Sequence, residues 1–257
     1  MMTAPYFEKA TEIAVKDVKP DEESYIMMTY QMMKDFGAKI TFNKQNSSFI
    51  VMPEKYKARD FTIEADFNTA NYFFTLAAVT GSEIKVTNVD GATLQPGIIF
   101  LEVLKEMGAE VEITDKFIRV KGPEKLKGGF SVDMKKIAEM ALNVAAIAPF
   151  ADDEITMTNL EHIRGHECDR LKAMSENLTA LGIKNKEHKD GITIYPGVPQ
   201  NVVLDTFEDH RVAMSFALTG IAGNGLTLKD PDCVSKTCPT YFNILRSIGV
   251  DCEDIEI

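Results

Sequence analysis

The chain has 257 residues, of which 45% are apolar, and its formal net charge at pH 7 is -11. This length allows a large buried core, and the negative charge argues against nucleic acid or an anionic membrane as a partner, because either would need a broad basic surface. An acidic chain with a few clustered cations is more typical of a protein that binds a small anion.

Four glycines mark an internal repeat. Gly37, Gly108, Gly182 and Gly249 lie 71, 74 and 67 residues apart in similar phrases such as "KEMGAEVEI". Each follows a stretch with helical spacing of apolar residues, so each is predicted to end a helix in the left-handed backbone region. Two short alternating strands are predicted after each of the first three glycines. The sequence therefore predicts a repeated unit of about seventy residues.

A more apolar helix is predicted after each of the first three strand pairs, beginning near Thr69, Ile137 and Asp209. These stretches are apolar nearly all round, which is typical of helices that the fold encloses. A strand and a loop follow each helix. Because alternating strands have one solvent face, the pattern predicts helices inside and sheets outside, the reverse of a doubly wound fold. Parallel strands at the centre with helices outside would contradict this prediction.

Charged residues are concentrated near the starts of predicted helices. Arg170 lies in "GHECDR", Arg211 in "EDHR" and Lys236 in "SKTCP". Helix N-termini attract anions, and three full positive charges there suit a phosphate or a carboxylate. Glu167 lies three residues before Arg170, where a carboxylate is placed to exchange protons with a bound anion.

These residues also have simpler interpretations. Asp209 is explained by a helix N-cap, with Arg211 as its ion-pair partner. Glu167 and Arg170 suit an ordinary solvated ion pair. Tyr25, before "IMMTYQMM", fits an amphipathic core position.

Two histidines raise the question of a metal. His162 and His166 are four residues apart with Glu167 adjacent, a pattern that hints at zinc. Gly165 weakens the helix that chelation would need, and no third ligand is evident. The sequence therefore predicts no metal site.

The cysteines indicate the compartment. No C-x-x-C pair occurs among the four cysteines, which are Cys168, Cys233, Cys238 and Cys252. The N-terminus lacks the basic start and apolar run of a signal peptide. Free thiols in a reducing cytoplasm are predicted. No apolar run reaches about 18 residues, so no membrane span is predicted.

Four motifs resemble the second half of the 5-enolpyruvylshikimate-3-phosphate synthase family. In chain order they are "DFNTANYFFTLAA", "GHECDRLKAM", "EDHRVAMSFAL" and "SKTCPTYF". The resemblance runs in order over essentially the whole chain, and the E-x-D-R and D-H-R signatures fall at the family's separation. The opening "MMTAPYF" resembles a stretch from the middle of such an enzyme.

This resemblance implies an α/β fold, the inside-out enolpyruvyl transferase prism of repeated βαβαββ units, with helices inside and sheets outside. Residues 1–63 resemble the C-terminal part of a domain inserted between two crossover strands, and residues 64–257 resemble the main part of the other domain. The implied reaction joins the enol ether carbon of phosphoenolpyruvate to the 5-hydroxyl of shikimate 3-phosphate, after which phosphate leaves a tetrahedral intermediate. No metal or organic cofactor is implied.

Five residues match family positions around phosphoenolpyruvate. Glu167 matches the glutamate that moves protons to and from the methylene carbon. Arg170 and Arg211 match the arginines that grip the carboxylate. Lys236 matches the lysine on the phosphate side, and His210 matches the histidine of the D-H-R motif.

Four further positions match the family's site, three of them with a different residue type. Tyr25 matches a tyrosine on the shikimate phosphate side. His166 stands beside the catalytic glutamate, where a lysine is frequent, and His162 replaces a frequent asparagine of the shikimate site. Glu139 replaces an aspartate that takes the proton of the attacking hydroxyl. Its carboxylate is about one methylene further out, and misplacement of that order matters to rate.

The phosphate-binding motifs of the family's first half are not found. The chain is therefore predicted to need an N-terminal half polypeptide, as a fragment, a subunit of a split enzyme or a degenerate product. Two alternatives stay open. One is a catalytically inactive remnant that binds small anions or a partner protein. The other is a related enzyme, although the two signatures disfavour the transferase acting on UDP-N-acetylglucosamine and the acidic balance disfavours an RNA cyclase.

Overall fold

The computed structural model describes residues 1–18 and 22–255. The chain divides into two compact units: residues 1–64 with 92–96, and residues 65–91 with 97–257. Of the predicted site residues, Tyr25 belongs to the first unit and all the others belong to the second. None of the described helices is both long enough and apolar enough to cross a membrane.

Among its described residues, the first unit contains one α-helix and one antiparallel sheet. Its elements are β1 (Thr11–Ala14), α1 (Glu22–Asp35), β2 (Ile40–Asn43) and β3 (Ser48–Val51). The strand order is β1-β3-β2. Met33 of α1 belongs to the same small core as Phe49 and Val51 of β3. The assignment of this region to an inserted domain of the family stays a prediction.

The second unit contains six α-helices and nine strands among its described residues. The helices are α2 (Phe67–Thr80), α3 (Phe100–Glu106), α4 (Ala141–Ile147), α5 (Arg170–Ala180), α6 (His210–Ala222) and α7 (Tyr241–Ser247). The strands are β4 (Glu83–Thr87), β5 (Glu110–Ile113), β6 (Phe117–Lys121), β7 (Phe130–Asp133), β8 (Ile155–Thr158), β9 (Asn185–Glu187), β10 (Ile192–Ile194), β11 (Val203–Leu204) and β12 (Thr227–Leu228).

The strands of the second unit form three separate sheets. Their orders are β4-β6-β5, β7-β8-β10-β9 and β11-β12. The β7–β8 and β11–β12 pairs are parallel, and the other pairs are antiparallel. The hydroxyls of Thr156 and Thr193, which are register partners on β8 and β10, hydrogen bond at 2.9 Å.

The three apolar helices α2, α4 and α6 pack against one another in the centre. Every residue of α4 is buried, which its run of alanine and branched aliphatic residues allows because it carries no charge. The parallel strand pairs lie in the outer sheets. The prediction of helices inside and sheets outside is therefore confirmed.

All four repeat glycines end their helices in the left-handed region. The φ angles of Gly37, Gly108, Gly182 and Gly249 are 83°, 97°, 77° and 95°. A residue with a side chain would be strained in this region, whereas glycine pays no Cβ penalty. The predicted helix ends are confirmed at each position.

The structure adds two strands that the repeat pattern did not predict. β7 and β11 each precede a central helix and have only four and two residues. The two residues of β11 are too few to give an alternation in the sequence. The helix predicted from Ile137 begins as a 3-10 turn, Ala138–Met140, before α4.

One buried polar residue from each central helix joins the three helices. The amide of Asn143 on α4 donates to Thr75 Oγ1 on α2 at 3.1 Å, and Ser215 Oγ on α6 donates to Asn143 Oδ1 at 3.1 Å. All three side chains are fully buried. These hydrogen bonds satisfy groups that would be costly to bury alone. We refer to Thr75, Asn143 and Ser215 as the buried polar layer.

Candidate active site

Arg170 and Asp209 form a buried ion pair between the starts of α5 and α6. Arg170 is the first residue of α5, Asp209 is the N-cap of α6, and their side chains are 3% and 0% exposed. The guanidinium donates through Nε to Asp209 Oδ2 at 2.7 Å and through Nη2 to Oδ1 at 3.3 Å. Burial favours the protonated acid, but the hydrogen bond and charge of Arg170 hold the pKa of Asp209 below its ordinary value.

The Asp209 carboxylate has two further donors. Its Oδ1 accepts the backbone N–H of Arg211 at 2.8 Å, which caps α6, and its Oδ2 accepts from Cys168 Sγ at 3.5 Å. Burial and the neighbouring charge of Asp209 raise the pKa of Cys168 to about 12, so this thiol stays protonated. Asp209 therefore anchors the charged residues around it rather than reacting itself.

Two histidines border this ion pair. His166 Nδ1 lies 3.3 Å from Nη1 of Arg170, which can only donate, so Nδ1 accepts. His210, the first residue of α6, is buried, and its Nδ1 makes no hydrogen bond and lies 3.8 Å from Asp209 Oδ1. Burial and the charge of Arg211 lower the pKa of His210, which keeps the ring neutral at pH 7. A neutral ring with an unsatisfied nitrogen suits a ligand contact.

Glu167 and Lys236 form the most exposed ion pair of the group. Lys236 ends the 3-10 helix Pro231–Lys236, and its Nζ lies 2.5 Å from Glu167 Oε2, with side chains 55% and 39% exposed. The hydrogen bond from Lys236 lowers the pKa of Glu167. A carboxylate in this state is a poor proton donor until the lysine moves away.

Arg211 and Glu139 form a third ion pair at the N-terminal ends of the central helices. Arg211 Nη2 lies 2.9 Å from Glu139 Oε2, which also accepts from the amide of Asn68 at 3.3 Å. Asn68 and Arg211 lie 71 and 72 residues from Glu139, so each residue occupies a comparable place in its repeat. We refer to Asn68, Glu139 and Arg211 as the site layer. Its arginine and glutamate are 13% and 26% exposed.

The structure corrects two pairings that the sequence suggested. Asp209 does cap α6, but its ion-pair partner is Arg170 and not Arg211. The partner of Glu167 is Lys236 and not Arg170, which is itself buried rather than solvated. No local signal marked the first pair, because α5 also carries Lys172 and Glu176 and the burial of Arg170 depends on its packing against the start of α6.

The remaining predicted residues lie in different surroundings. The His162 ring packs edge to face on His166, with centroids 5.9 Å apart. Tyr25 is 38% exposed on the first turn of α1, so the alternative of a core position is wrong. The described residues contain no group of three or more His, Cys, Asp or Glu side chains that could hold a metal ion, and all four cysteines are free thiols.

The three ion pairs therefore bring three cations and three carboxylates together. The sequence analysis did not predict Asn68 of the site layer. The charges of Arg170, Arg211, Lys236 and Asp209 all act on the buried ring of His210. Two of the carboxylates, those of Glu139 and Glu167, are partly exposed, and each is paired with a cation of the site. An anion that binds Arg211 and Lys236 would compete with both carboxylates for these cations.

Comparison with known proteins identifies relatives over nearly the whole chain. A family model described as EPSP synthase (3-phosphoshikimate 1-carboxyvinyltransferase) matches residues 1–245. A protein named 3-phosphoshikimate 1-carboxyvinyltransferase 2 from Halalkalibacterium halodurans is 43% identical over 252 residues, which cover 97% of this chain and 56% of that protein. A 3-phosphoshikimate 1-carboxyvinyltransferase from Nostoc punctiforme is 39% identical over 242 residues, which cover 94% of this chain and 56% of that protein. The chain thus spans about half the length of these relatives.

Solved structures show the same fold. An EPSP synthase from Acinetobacter baumannii superposes with a TM-score of 0.83 at 21% identity, covering 97% of this chain and 59% of that one. The enolpyruvyl transferase NikO from Streptomyces tendae superposes with a TM-score of 0.73 at 17% identity, covering 96% and 57%. The predicted enolpyruvyl transferase fold, with helices inside and sheets outside, is confirmed.

Proposed function

Because the chain belongs to the EPSP synthase family, we propose that it supplies half of a 3-phosphoshikimate 1-carboxyvinyltransferase. The substrates are phosphoenolpyruvate and shikimate 3-phosphate, and the product serves aromatic amino acid synthesis. An N-terminal half polypeptide completes the enzyme and supplies the remaining phosphate contacts. No cofactor is needed. The four free thiols support a reducing, cytoplasmic location.

In the proposed complex, the cations of the three ion pairs contact the ligand. Arg211 and Arg170 bind the carboxylate of phosphoenolpyruvate, and Lys236 binds its phosphate. His210 is neutral and uses its unsatisfied Nδ1 for the same ligand. His162 and Tyr25 contact the shikimate side, and His166 is a catalytic residue beside Glu167. These roles rest on the matching family positions and on the charges described above.

The observation that carries the proposal is that each partly exposed carboxylate is bound to a cation that the ligand also needs. Glu139 is paired with Arg211, and Glu167 with Lys236. Substrate anions compete for these cations, because a dianionic phosphate attracts a lysine more strongly than a single carboxylate does. Binding therefore weakens the ion pairs of the two proton-moving groups, while Glu139 keeps the hydrogen bond from Asn68.

The proton transfers then balance as follows. Glu167 first takes up a proton from solvent once Lys236 has moved to the phosphate. Glu139 then takes the proton of the 5-hydroxyl as the hydroxyl oxygen bonds to C2 of phosphoenolpyruvate, while Glu167 gives its proton to C3. In the second step Glu167 takes a proton back from C3, the C2–O bond to phosphate breaks, and the hydroxyl proton held by Glu139 passes to the released phosphate, which restores the Glu139 carboxylate. Fixed positive charge from Lys236 stabilises the leaving phosphate. Glu139 does this work with a longer side chain than the family's aspartate.

The decisive experiment measures phosphate release from phosphoenolpyruvate and shikimate 3-phosphate. Three samples are compared: this chain, the N-terminal part of the Halalkalibacterium halodurans relative, and the two mixed. Turnover is expected only in the mixture, because each charge-assisted contact missing from the lone chain contributes roughly 1.5–3 kcal/mol to binding. Clear turnover by the lone chain contradicts the split arrangement.

Matched variants separate the site from general damage. Glu167→Gln is expected to lower turnover of the mixture at least about a hundredfold, the usual contribution of a general acid or base. Glu176→Gln, an exposed glutamate on the same helix α5 paired with Lys172, is the control and should leave turnover unchanged. A silent mixture of folded, associated halves would favour the inactive alternative, and Glu139→Asp is then the first change to make.

A further inference from the structure

Arg164 takes no part in the proposed chemistry, although it lies in the same short motif as His162, His166 and Glu167. It belongs to the 3-10 helix Glu161–Gly165, which precedes α5, and its side chain is 28% exposed. Its guanidinium group donates hydrogen bonds to two carboxylates and to two backbone carbonyl oxygens. Because the donors of an arginine form a rigid planar fork, these contacts fix the position of the groups around it.

One side of the guanidinium group holds the start of α5. Arg164 Nη1 donates to Oδ2 and Oδ1 of Asp169 at 3.1 and 3.3 Å. Asp169 is the N-cap of α5, and its Oδ1 also accepts the backbone N–H of Lys172 at 3.0 Å. The ion pair therefore closes residues 165–168 into a loop, and Glu167 lies within that loop.

The other side of the guanidinium group holds the hairpin of β9 and β10. Nη2 donates to Glu187 Oε1 at 2.6 Å and to the carbonyl oxygen of His188 at 3.0 Å, and Nε donates to the carbonyl oxygen of Lys189 at 3.4 Å. The hairpin is itself fixed, because the His188 ring hydrogen bonds to Thr193 Oγ1 at 3.0 Å and β10 lies between β8 and β9 in its sheet. The loop is therefore tied to an outer sheet as well as to α5.

The loop that contains Glu167 has little other support. In the part of the chain that the structure describes, neither Glu167 nor Cys168 donates its backbone N–H to another backbone group. Two contacts reach the helix starts, from His166 to Arg170 at 3.3 Å and from Cys168 to Asp209 at 3.5 Å. The second contact is weak, because a thiol is a poor donor. The position of the Glu167 side chain therefore depends mainly on how the two ends of the loop are held.

We propose that Arg164 positions Glu167 for proton transfer by clamping the ends of its loop through Asp169 and Glu187. The inference rests on the proposed function, which assigns the proton transfer to Glu167. We refer to Arg164, Asp169 and Glu187 as the loop clamp. Its role is orientation more than stability, since ion pairs exposed to this degree stabilise a fold little, whereas a misplacement of about 1 Å can cost a hundredfold in rate.

Two variants separate positioning from charge. Arg164→Lys keeps the positive charge, but a lysine has no planar fork and cannot hold Asp169 and Glu187 together. Glu187→Met removes a negative charge, and that loss by itself can only lower the pKa of Glu167. The pKa of Glu167 is held below its ordinary 4.5 chiefly by the hydrogen bond from Lys236. A rise toward 4.5 in both variants therefore reports that the loop has moved away from Lys236.

Arg119 of β6 offers a matched control. Its side chain is 31% exposed and lies 2.7 Å from Glu83 and 2.8 Å from Glu112, so it also joins two carboxylates. The β4-β6-β5 sheet carries none of the predicted site residues. Arg119→Lys and Glu112→Met therefore repeat the two substitutions away from the site, and they should leave both the titration of Glu167 and turnover unchanged.

The experiment combines carbon-13 NMR titration of Glu167 in this chain with turnover of its mixture with the N-terminal part of the Halalkalibacterium halodurans relative. Arg164→Lys is expected to raise the pKa of Glu167 toward 4.5 and to lower kcat about 10- to 100-fold. The KM for phosphoenolpyruvate should change less than about threefold, because the loop clamp contains none of the cations proposed to bind it. Glu187→Met should act in the same direction and lower kcat at least about threefold. Thermal unfolding compares each variant with its control.

The outcomes separate this inference from the proposed function. A raised pKa of Glu167 in both clamp variants, with no turnover even in the wild-type mixture, supports the positioning of Glu167 and overturns the enzymatic proposal. An unchanged pKa in Arg164→Lys, or a lowered pKa in Glu187→Met, overturns the positioning. A raised pKa with kcat unchanged in an active mixture overturns it as well. Equal losses of kcat and of melting temperature in Arg164→Lys and Arg119→Lys would trace the effect to general destabilisation, which also contradicts the inference.

Discussion

The buried polar layer and the site layer are built from comparable repeat positions in the same three segments, namely α2, α6 and α4 with the 3-10 turn that precedes it, yet they differ in chemistry. Thr75, Asn143 and Ser215 are neutral, fully buried and hydrogen bonded to one another. The site layer lies near the helix starts and is held by an ion pair that is only partly buried. Charge is thus placed where solvent or a ligand reaches, and neutral groups are placed where neither does.

This difference has an energetic cause. Hydrogen bonds between neutral groups satisfy the buried layer without the desolvation cost of ions. An ion pair in the site layer contributes little to stability but exchanges partners easily, because water or a substrate anion can replace either group. The first layer therefore holds the helices together, and the second is available for chemistry.

Asp209 is an exception to this separation of buried neutral groups from exposed charged groups, because it is charged and also fully buried. Asp209→Ala removes the partner of Arg170, the cap of α6 and the acceptor for Cys168. It is expected to lower the free energy of unfolding by about 3–5 kcal/mol, since it leaves a buried charge uncompensated. Urea denaturation followed by circular dichroism measures this loss, with the exposed Asp232→Ala as control. A loss below about 1 kcal/mol would show that Arg170 finds water instead.

Asn143→Leu tests the buried polar layer itself. The substitution keeps the approximate volume but leaves the Ser215 hydroxyl without its acceptor and Thr75 Oγ1 without its donor. We expect a loss of about 1–3 kcal/mol in the same denaturation measurement. Ser215→Ala, which removes one hydroxyl, should cost about 1 kcal/mol. An unchanged stability in Asn143→Leu would mean that the layer contributes no net hydrogen-bond energy.

The helices that carry the two layers could be predicted from the sequence, but the ion-pair partners of the charged residues could not. Helix ends at Gly37, Gly108, Gly182 and Gly249 follow from local rules, because a left-handed terminator and the apolar spacing before it are properties of a few adjacent residues. The burial of α2, α4 and α6 follows from the apolar composition of these helices alone. Fold prediction therefore succeeded wherever the deciding interactions were local.

Ion-pair partners could not be predicted, because they join residues about forty to seventy positions apart. Spacing placed Arg170 beside Glu167 on one helix face, whereas packing turns Arg170 inward to Asp209 and leaves Glu167 to Lys236. β11 was missed for a related reason, since its two residues carry no pattern of their own and it pairs with β12, more than twenty residues along the chain. The roles of the nine predicted site residues stay predictions.

Glu139→Gln sharpens the comparison by keeping the shape of the site layer and removing its charge pair. Arg211 and Asn68 retain an acceptor oxygen, and the site is partly exposed, so the expected change in unfolding free energy is within about 1 kcal/mol. Denaturation of this variant beside Asn143→Leu gives the contrast directly. A loss as large as that of Asn143→Leu would place the site layer among the structural contacts of the core.

The smallest expected effect concerns the exposed pair of Glu167 and Lys236. Lys236 lowers the pKa of Glu167 from its ordinary 4.5, so the pair stabilises the fold above pH 4.5 and loses this contribution as the pH falls through the lowered pKa. The change in stability is slight, because solvent screens side chains that are 39% and 55% exposed. The pKa itself is the sharper measurement, and carbon-13 NMR titration of the Glu167 carboxyl group reports it.

Two perturbations should raise that pKa toward its ordinary value. Lys236→Met removes the hydrogen bond and the charge, and inorganic phosphate draws the ammonium group away from the carboxylate. Lys189→Met, whose exposed lysine is paired with Glu161, is the matched control and should leave the Glu167 titration unchanged. If phosphate leaves the titration unchanged while Lys236→Met raises it, Lys236 holds Glu167 without yielding to an anion. The competition on which the proton transfer depends would then be absent from this half of the site.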